Sequence, residues 1–308
     1  MPAHPHLLHT LTPTSAAGGV FTARFSSTSN HVLHGGASRI LHLVDARSGA
    51  ALQTLSGHAH PILACGISRS SNRLVSAGPD RTLFLWDASS GTLVARPGRR
   101  DGHLARVNAV AFAARNDELV LSASYDRSLR IWDARNPHAR PIQVISDASD
   151  SVTAVLPDGD AILTASVDGC VRSYDIRKGM YNVDALGAPI GSLALTQDRL
   201  CILAACLDGS MRLLQRSTGD LLELYRGHAN QHFQLGCAVS GDDAFLFCGD
   251  EGGGFCMYDV SQGKSPVWRG GGDNKEQVVA AMDLCPSTGL LVVGRHDGNV
   301  SLWKTGSG

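Results

Sequence analysis

The sequence predicts an all-β protein in which a four-stranded unit repeats seven times around a ring, a seven-bladed β-propeller. Three observations support this fold class. A strand that ends in a large apolar residue recurs seven times, the copies follow one another at steps of 40–46 residues, and short strands separated by turn residues fill the intervals. Because the repeat is unbroken, we expect a single domain over residues 1–308.

The repeated strand is the most regular element, and it is usually followed by Asp and a turn. Its large residues are Val44, Trp86, Trp132, Tyr174, Leu214, Tyr258 and Trp303, at steps of 42, 46, 42, 40, 44 and 45 residues. A period of about 40–45 residues with a Trp-Asp ending is typical of one propeller blade. The blades are therefore predicted to end near residues 49, 91, 137, 179, 219, 263 and 308.

Blade three shows how the residues specify the strands of one unit. After Gly102-His103, VNAVAF at 107–112 alternates apolar and polar residues as a half-buried strand does. Residues 118–124 and 128–132 form the second and third strands on either side of a tight turn. Residues 142–145 form the outer strand after a stretch interrupted by proline.

Ring closure can also be predicted. Five residues follow Trp303, so the last blade lacks an outer strand of its own. HLLHTL, at about 6–11, precedes the first strand of blade one and resembles a spare outer strand. We expect it to pair with the last blade, because closure removes two exposed strand edges.

Two blades share a set of polar and aromatic residues that resembles the pattern of WD-repeat propellers. In that family a histidine, a serine, a turn aspartate and the tryptophan form a hydrogen-bonded chain. The matching residues here are His58, Ser76, Asp80 and Trp86 in blade two, and His103, Ser122, Asp126 and Trp132 in blade three. We interpret both sets as structural networks that satisfy buried polar groups.

A His-Ser-Asp set also invites interpretation as a hydrolase site. A nucleophilic serine needs an exposed hydroxyl, an oxyanion hole and a cleft, and the sequence signals none of them. The chain is therefore expected not to be an enzyme.

The other five blades each lack part of this set. Blade one has Ser38 and Val44 at the Asp and Trp positions, blade five has Leu214 at the Trp position, and blade six has Gly252 at the Asp position. We expect these blades to depend on apolar packing instead and to be less rigid.

Composition narrows the range of functions. The formal net charge is −1, which argues against direct binding of nucleic acid or of an anionic membrane. The eight cysteines form no Cys-x-x-Cys pair and are expected to be reduced and buried. We found no secretory signal, no span of about 20 apolar residues and no ligand spacing for a metal, and we expect no cofactor.

The sequence directs attention to one face of the ring as a binding surface. In propellers the turns between second and third strands lie on the same face as the starts of the inner strands. Aromatic and arginine side chains dominate interface energetics. The candidate partner-binding residues on this face are Arg106, Asn108, Tyr125, Val167, Leu207, Gln231, Phe233 and His296.

Two segments resemble a particular group of WD-repeat proteins. SVDGCVRSYDIRKG at 166–179 and the long run at 207–240, which includes Asn230-Gln231, look like the mitogen-activated protein kinase organizer family. The resemblance implies a scaffold for a kinase cascade and a spliceosome-associated subunit. The implied partners are kinase-cascade components or splicing factors such as a helicase and its activator. A monomeric propeller within larger complexes, located in cytoplasm and nucleus, would fit both roles.

An alternative function arises from WDAR at 132–135. A Trp-Asp-x-Arg ending resembles the motif by which some propellers dock onto the adaptor of cullin-RING ubiquitin ligases. Substrate reception for such a ligase therefore remains an alternative.

Overall fold

The computed structural model describes residues 4–11, 18–113, 117–136, 140–271 and 278–305. These residues form 28 β-strands in seven antiparallel four-stranded sheets arranged as propeller blades. The predicted fold class is confirmed. Within the described ranges there is no helix of the length and apolarity needed to cross a bilayer. The predicted blade ends near 137 and 308 lie outside the described residues.

Each blade is ordered from an inner strand at the ring axis to an outer strand at its rim. The strands of blades one to three are β2 (Val20–Phe25), β3 (His31–Gly36), β4 (Ile40–Asp45) and β5 (Ala51–Ser56); β6 (Ala64–Ile67), β7 (Arg73–Ala77), β8 (Phe84–Asp87) and β9 (Leu93–Ala95); and β10 (Val107–Ala113), β11 (Leu119–Ser124), β12 (Leu129–Asp133) and β13 (Gln143–Ile145).

The remaining blades repeat this order, except that the chain's first strand completes the last one. Their strands are β14 (Val152–Asp158), β15 (Ala161–Ser166), β16 (Cys170–Asp175) and β17 (Met180–Ala185); β18 (Ile190–Leu195), β19 (Cys201–Cys206), β20 (Ser210–Gln215) and β21 (Leu221–Arg226); β22 (Cys237–Val239), β23 (Phe245–Gly249), β24 (Phe255–Asp259) and β25 (Trp268–Gly270); and β26 (Val279–Cys285), β27 (Leu290–Arg295), β28 (Val300–Lys304) and β1 (His6–Leu11).

The core is divided into layers between neighbouring blades. Val75 and Leu85 of blade two, for example, pack in one cluster with Val110 and Trp132 of blade three. Second strands are covered on both faces, which explains why β11 is a nearly continuous apolar run. Each blade is therefore stabilised mainly by its two neighbours.

Ring closure through the N-terminal strand is confirmed. β1 pairs antiparallel with β28, with His6 opposite Lys304 and Leu11 opposite Val300. Leu11 is 2% exposed and packs in a cluster with Val300 and with Val44 of blade one. The first described strand thus joins the last blade to the first.

The turn between second and third strands uses a left-handed residue in every blade. In blades one to three this residue is Arg39, Arg81 or Arg127, with φ of 62–67°. In blades four to seven glycine takes the position, as at Gly169 and Gly298. A side chain in this conformation costs roughly 1–2 kcal/mol, so blades one to three accept a strain that the others avoid.

Candidate functional site

The four residues matched in blade two form a continuous hydrogen-bonded chain. His58 Nδ1 lies 2.6 Å from Asp80 Oδ2, and its Nε2 lies 2.7 Å from Ser76 Oγ. Trp86 Nε1 donates to the same hydroxyl at 2.9 Å. In blade three, His103 Nδ1 lies 2.9 Å from Asp126 Oδ2, and His103 Nε2 lies 2.7 Å from Ser122 Oγ. Trp132 Nε1 donates to the same hydroxyl at 2.8 Å.

The directions of these hydrogen bonds determine the tautomer of His58 and of His103. The serine hydroxyl accepts the indole N–H, so its own proton goes to Nε2, and Nδ1–H donates to the aspartate. Burial lowers the pKa of His58 despite the opposing effect of Asp80, which keeps this ring neutral at pH 7. Burial alone would raise the pKa of Asp126, but hydrogen bonds from His103 and Ser128 outweigh it and hold that pKa well below its usual range.

These networks are inaccessible to a substrate. Ser76 and Ser122 are completely buried, and their hydroxyl groups are occupied by the indole and the imidazole. A nucleophile needs a free path to its target. The two sets therefore stabilise their blades by satisfying buried polar groups, and they do not act as catalytic triads.

The expectation that the other blades depend on apolar packing alone is wrong for blades four and five. Arg172 donates to both oxygens of Asp168, at 2.7 Å for the shorter bond, and both side chains are buried. Arg212 pairs with Asp208 at 2.6 Å. Each arginine lies four residues after its aspartate, so a guanidinium takes the place of the missing imidazole.

Blades six and seven also contain polar contacts that the sequence did not reveal. The hydroxyl of Tyr258 lies 2.8 Å from His228 Nδ1, because Cys248 stands where blade three has its serine. In blade seven, Trp303 Nε1 donates to Ser301 Oγ at 3.0 Å and Arg295 donates to the same atom at 2.8 Å. The departure from the motif is thus compensated in part, since His228 Nε2 and Arg295 Nε are buried without a hydrogen-bond partner among the described residues.

Blade one is the exception, because a histidine pair takes the place of the network. The rings of His34 and His42 stack with centroids 5.2 Å apart, and both are buried. Burial first, and then repulsion by His42, lower the pKa of His34 to about 3. The pair is therefore neutral at physiological pH.

On the candidate partner-binding face, the turns between second and third strands are held by the same backbone hydrogen bond in several blades. The N–H groups of Tyr125, Val167 and Leu207 donate to carbonyl oxygens next to the inner strands of their blades at 2.8–3.0 Å. His296 N–H makes the same bond to Val278. The side chains of these turn residues are thus held beside the channel mouth at the ring axis.

The eight candidate residues differ in accessibility. Arg106, Tyr125, Gln231 and Phe233 are exposed, and the Arg106 guanidinium lies 5.0 Å from the Tyr125 ring centroid. Val167, Leu207 and His296 are half-buried. The half-buried Asn108 donates its amide to Ser151 Oγ and Val152 O, so its donors serve blade-to-blade contact.

Three further residues on this face are not among the eight candidates, and two of them are Leu104 and Glu251. Leu104 is 80% exposed, and an apolar residue directly after the Gly-His pair was the available signal. Glu251 accepts backbone N–H groups of Gln231, His232 and Phe233 at 2.6–3.0 Å, and these bonds lower its pKa to about 2 although burial opposes them.

The third residue, Gln234, lies just before the inner strand of blade six and contacts the two preceding blades. Its amide donates to Thr153 O and Gly191 O at 2.9 and 2.6 Å, which joins blades four and five. No local sequence signal distinguishes Gln234 or Glu251, because their partners lie in other turns or other blades.

The WDAR segment lies on the opposite face, at the end of β12. The Arg135 guanidinium forms two hydrogen bonds of 3.0 Å with Asp133 and an ion pair of 3.2 Å with Glu118. An adaptor would have to displace these carboxylates. No feature of this segment therefore favours the ligase alternative.

Comparison with known proteins identifies the repeat. The description "WD domain, G-beta repeat" matches residues 49–87, 96–133 and 139–175. The first two ranges contain both complete His-Ser-Asp-Trp sets. The third range covers the first three strands of blade four, which keeps the turn aspartate although its partner is an arginine.

Relatives with the same kind of repeat extend this result. The chain is 34% identical over 170 residues to WD repeat domain-containing protein 83 of Rattus norvegicus, covering 55% of the chain and 53% of that protein. The human protein gives 34% over 168 residues, covering 53% and 51%. The Dictyostelium discoideum homolog gives 26% over 213 residues, covering 60% and 65%.

The matched region spans about half of the mammalian proteins and 65% of the Dictyostelium protein. WD repeat domain-containing protein 83 is also named mitogen-activated protein kinase organizer, so the resemblance inferred from sequence is confirmed.

Proposed function

We propose that this WD-repeat propeller, which is similar to WD repeat domain-containing protein 83, is a non-catalytic scaffold that organises a mitogen-activated protein kinase cascade, acts as a spliceosome-associated subunit in pre-mRNA splicing, or does both. Its locations would then be cytoplasm and nucleus. Binding of proteins is the typical role of WD-repeat propellers. The choice of partners follows the resemblance.

One observation carries the scaffold role: exposed aromatic and arginine side chains stand on anchored turns around the channel mouth. Tyr125 is 55% exposed and holds Arg106 against its ring. Such residue types contribute most of the energy in protein interfaces. Their turns are fixed by backbone bonds, so little ordering is needed when a partner binds.

Affinity purification of the tagged full chain, followed by mass spectrometry, tests the proposal. We expect kinase-cascade components, splicing factors or both among the captured proteins. A cullin adaptor as the dominant partner would replace the proposal with the ligase alternative. Capture of none of these classes would overturn the scaffold role in both forms.

A paired comparison of variants locates the binding face. Arg106→Ala combined with Tyr125→Ala should weaken capture while lowering the free energy of unfolding by no more than about 1 kcal/mol, since both residues are exposed. Arg177→Ala combined with Leu200→Ala is the matched control on the opposite face, where Leu200 is 65% exposed. Equal loss from both pairs, or loss from the control alone, would contradict the assignment of this face.

A further inference from the structure

The channel mouth has an uneven charge. A cavity of about 340 Å³ opens there, and the described residues that line it include Arg24 and Arg106 but neither Asp nor Glu. Arg24 is paired with Asp283 at 3.4 Å. Within the described part of the chain no carboxylate lies within 4.0 Å of the Arg106 guanidinium, which lies 5.0 Å from the Tyr125 ring centroid. Arg106 is therefore an available cation at the mouth.

Three aromatic rings form a platform on another part of the mouth. His296 lies between Phe21 and Phe233 in edge-to-face contacts, with centroid distances of 5.3 and 5.1 Å. Phe233 remains 40% exposed. Burial lowers the pKa of His296, so its ring is neutral and the platform offers apolar contact at neutral pH.

The loop that carries Phe233 is held in place before any partner arrives. The Glu251 carboxylate accepts three successive backbone N–H groups, and Gln234 ties the end of the loop to blades four and five. All three of these bonds go to one oxygen of Glu251, and its other oxygen lies 3.2 Å from His232 Nδ1. A fixed loop lowers the entropic cost of binding an extended chain.

We propose that the channel mouth binds an extended acidic peptide segment of a partner protein, with an Asp or Glu side chain on Arg106 and a bulky apolar side chain on the Phe21–His296–Phe233 platform. The inference deepens the proposed scaffold function and depends on it. A free phosphate would use the charge but not the platform. A nucleic acid would stack bases on the platform, but one unpaired arginine is a small share of the cationic groups that it requires.

Selection from a displayed library of random dodecapeptides on the immobilised full chain tests the inference. We expect enriched peptides to combine Asp or Glu with Phe, Trp, Tyr or Leu. Enrichment of basic peptides, a lack of any charge preference, or no enrichment at all would overturn the inference. Because the library contains no cellular partner, its result is separate from the purification that tests the scaffold role.

Variants assign the two subsites. Fluorescence polarisation with the most enriched labelled peptide should show binding weakened at least about tenfold by Arg106→Glu, together with a reversed salt dependence of affinity, because added salt then screens a repulsion. Phe233→Ala should weaken binding and leave the salt dependence unchanged. Arg177→Glu, an equal charge change on the opposite face, is the control and should bind as wild type. Wild-type affinity in the Arg106→Glu variant would contradict the acidic subsite.

If purification from cells yields the expected partners while the library gives no acidic peptides, the scaffold role stands and this inference fails. If the library gives acidic peptides but cells yield no partner, the subsite stands and the cellular role fails. The thermal unfolding midpoint of each variant, measured beforehand, separates loss of binding from loss of folding.

Discussion

Blades three and four solve the same structural problem with different hydrogen-bond donors. In blade three Asp126 accepts a hydrogen bond from His103, and Arg130 stays at 3.7 Å. In blade four no Gly-His histidine precedes the first strand, and Arg172, at the position equivalent to Arg130, approaches Asp168 to 2.7 Å. The aspartate keeps its role, and the side chain that donates to it changes.

The turn geometry common to both blades requires donors around the aspartate. In each blade the carboxylate also accepts a backbone N–H from the segment before the inner strand, at Leu104 in blade three and Ser149 in blade four. A buried carboxylate needs donors on all sides, but it does not need a particular one. Loss of the histidine can therefore be tolerated when an arginine is already within reach.

The largest loss of stability should come from removing β1, the strand that closes the ring to which both blades belong. Deletion of residues 1–11 takes away β1, exposes the edge of β28 and leaves the site of Leu11 unfilled. Loss of the buried leucine alone costs about 1.5–3 kcal/mol, and the open ring should unfold at markedly lower temperature. The measurement is thermal unfolding followed by circular dichroism.

Deletion of residues 1–4 is the control for this experiment, because it leaves β1 intact. An unchanged unfolding midpoint for the longer deletion would contradict closure by β1.

The next effect distinguishes the aspartate–arginine ion pair of blade four from the aspartate–histidine hydrogen bond of blade three. Asp168→Ala leaves the Arg172 guanidinium buried without its carboxylate, which should cost about 3–5 kcal/mol. Asp126→Ala should cost less, about 1–3 kcal/mol, because the imidazole it leaves behind can remain neutral. Chemical denaturation of both variants measures the difference in the free energy of unfolding.

A double variant sharpens this test. Asp168→Leu combined with Arg172→Leu removes both charges and should recover most of the stability lost in Asp168→Ala. If the double variant is as unstable as the single one, the cost does not come from the unpaired guanidinium.

The pH dependence of the free energy of unfolding should distinguish blade one from blades three and four. The pKa of His34 is about 3 in the folded state, whereas the ordinary pKa of a free histidine side chain is 6.5, so the unfolded chain binds the proton first as pH falls. Stability is therefore lost between pH 6.5 and about 3, by at most about 1.4 kcal/mol per pH unit for one proton. The folded pKa of Asp126 is lowered from 3.8, so its contribution is lost only below that pH.

Denaturation at several pH values checks the assignment to blade one. His34→Leu combined with His42→Leu should flatten the decline between pH 6.5 and 4, and His60→Leu, at an exposed histidine, should leave it unchanged. A decline of the same slope in the double variant would show that other groups cause it.

The smallest effect concerns the left-handed turn residue. Gly169→Ala should lower the free energy of unfolding by at least about 1–2 kcal/mol, because the new Cβ would lie 3.1 Å from Ala188 N and O. Arg127→Gly should change it by less than about 1 kcal/mol, since relief of strain is offset by the greater freedom of glycine when unfolded. Equal effects in the two blades would show that the position is not strained.

Some features of the fold could be predicted closely because they depend on local residue types. The strands of blade three begin and end within one residue of the predicted ranges, since apolar alternation and turn residues define them locally. The spacing of His103, Ser122 and Trp132 was readable for the same reason: each residue type has a recurring place in the unit.

The substitute contacts could not be predicted in this way. Arg172 looks like an ordinary polar residue of an exposed strand face, and only the missing histidine of the preceding loop makes it a buried partner of Asp168. Glu251 likewise stands in a turn of blade six without a motif, and its function depends on three N–H groups that precede β22.

The periodicity of large residues along the chain was sufficient to determine the number of blades, and the apolar segment before the first repeat indicated the strand that closes the ring. Only the tertiary structure decided which donor meets each turn aspartate and which side chains remain free at the channel mouth. The physical reason is that strand periodicity is a property of neighbouring residues, whereas the partner of a buried charge is chosen by whichever donors distant segments bring within reach.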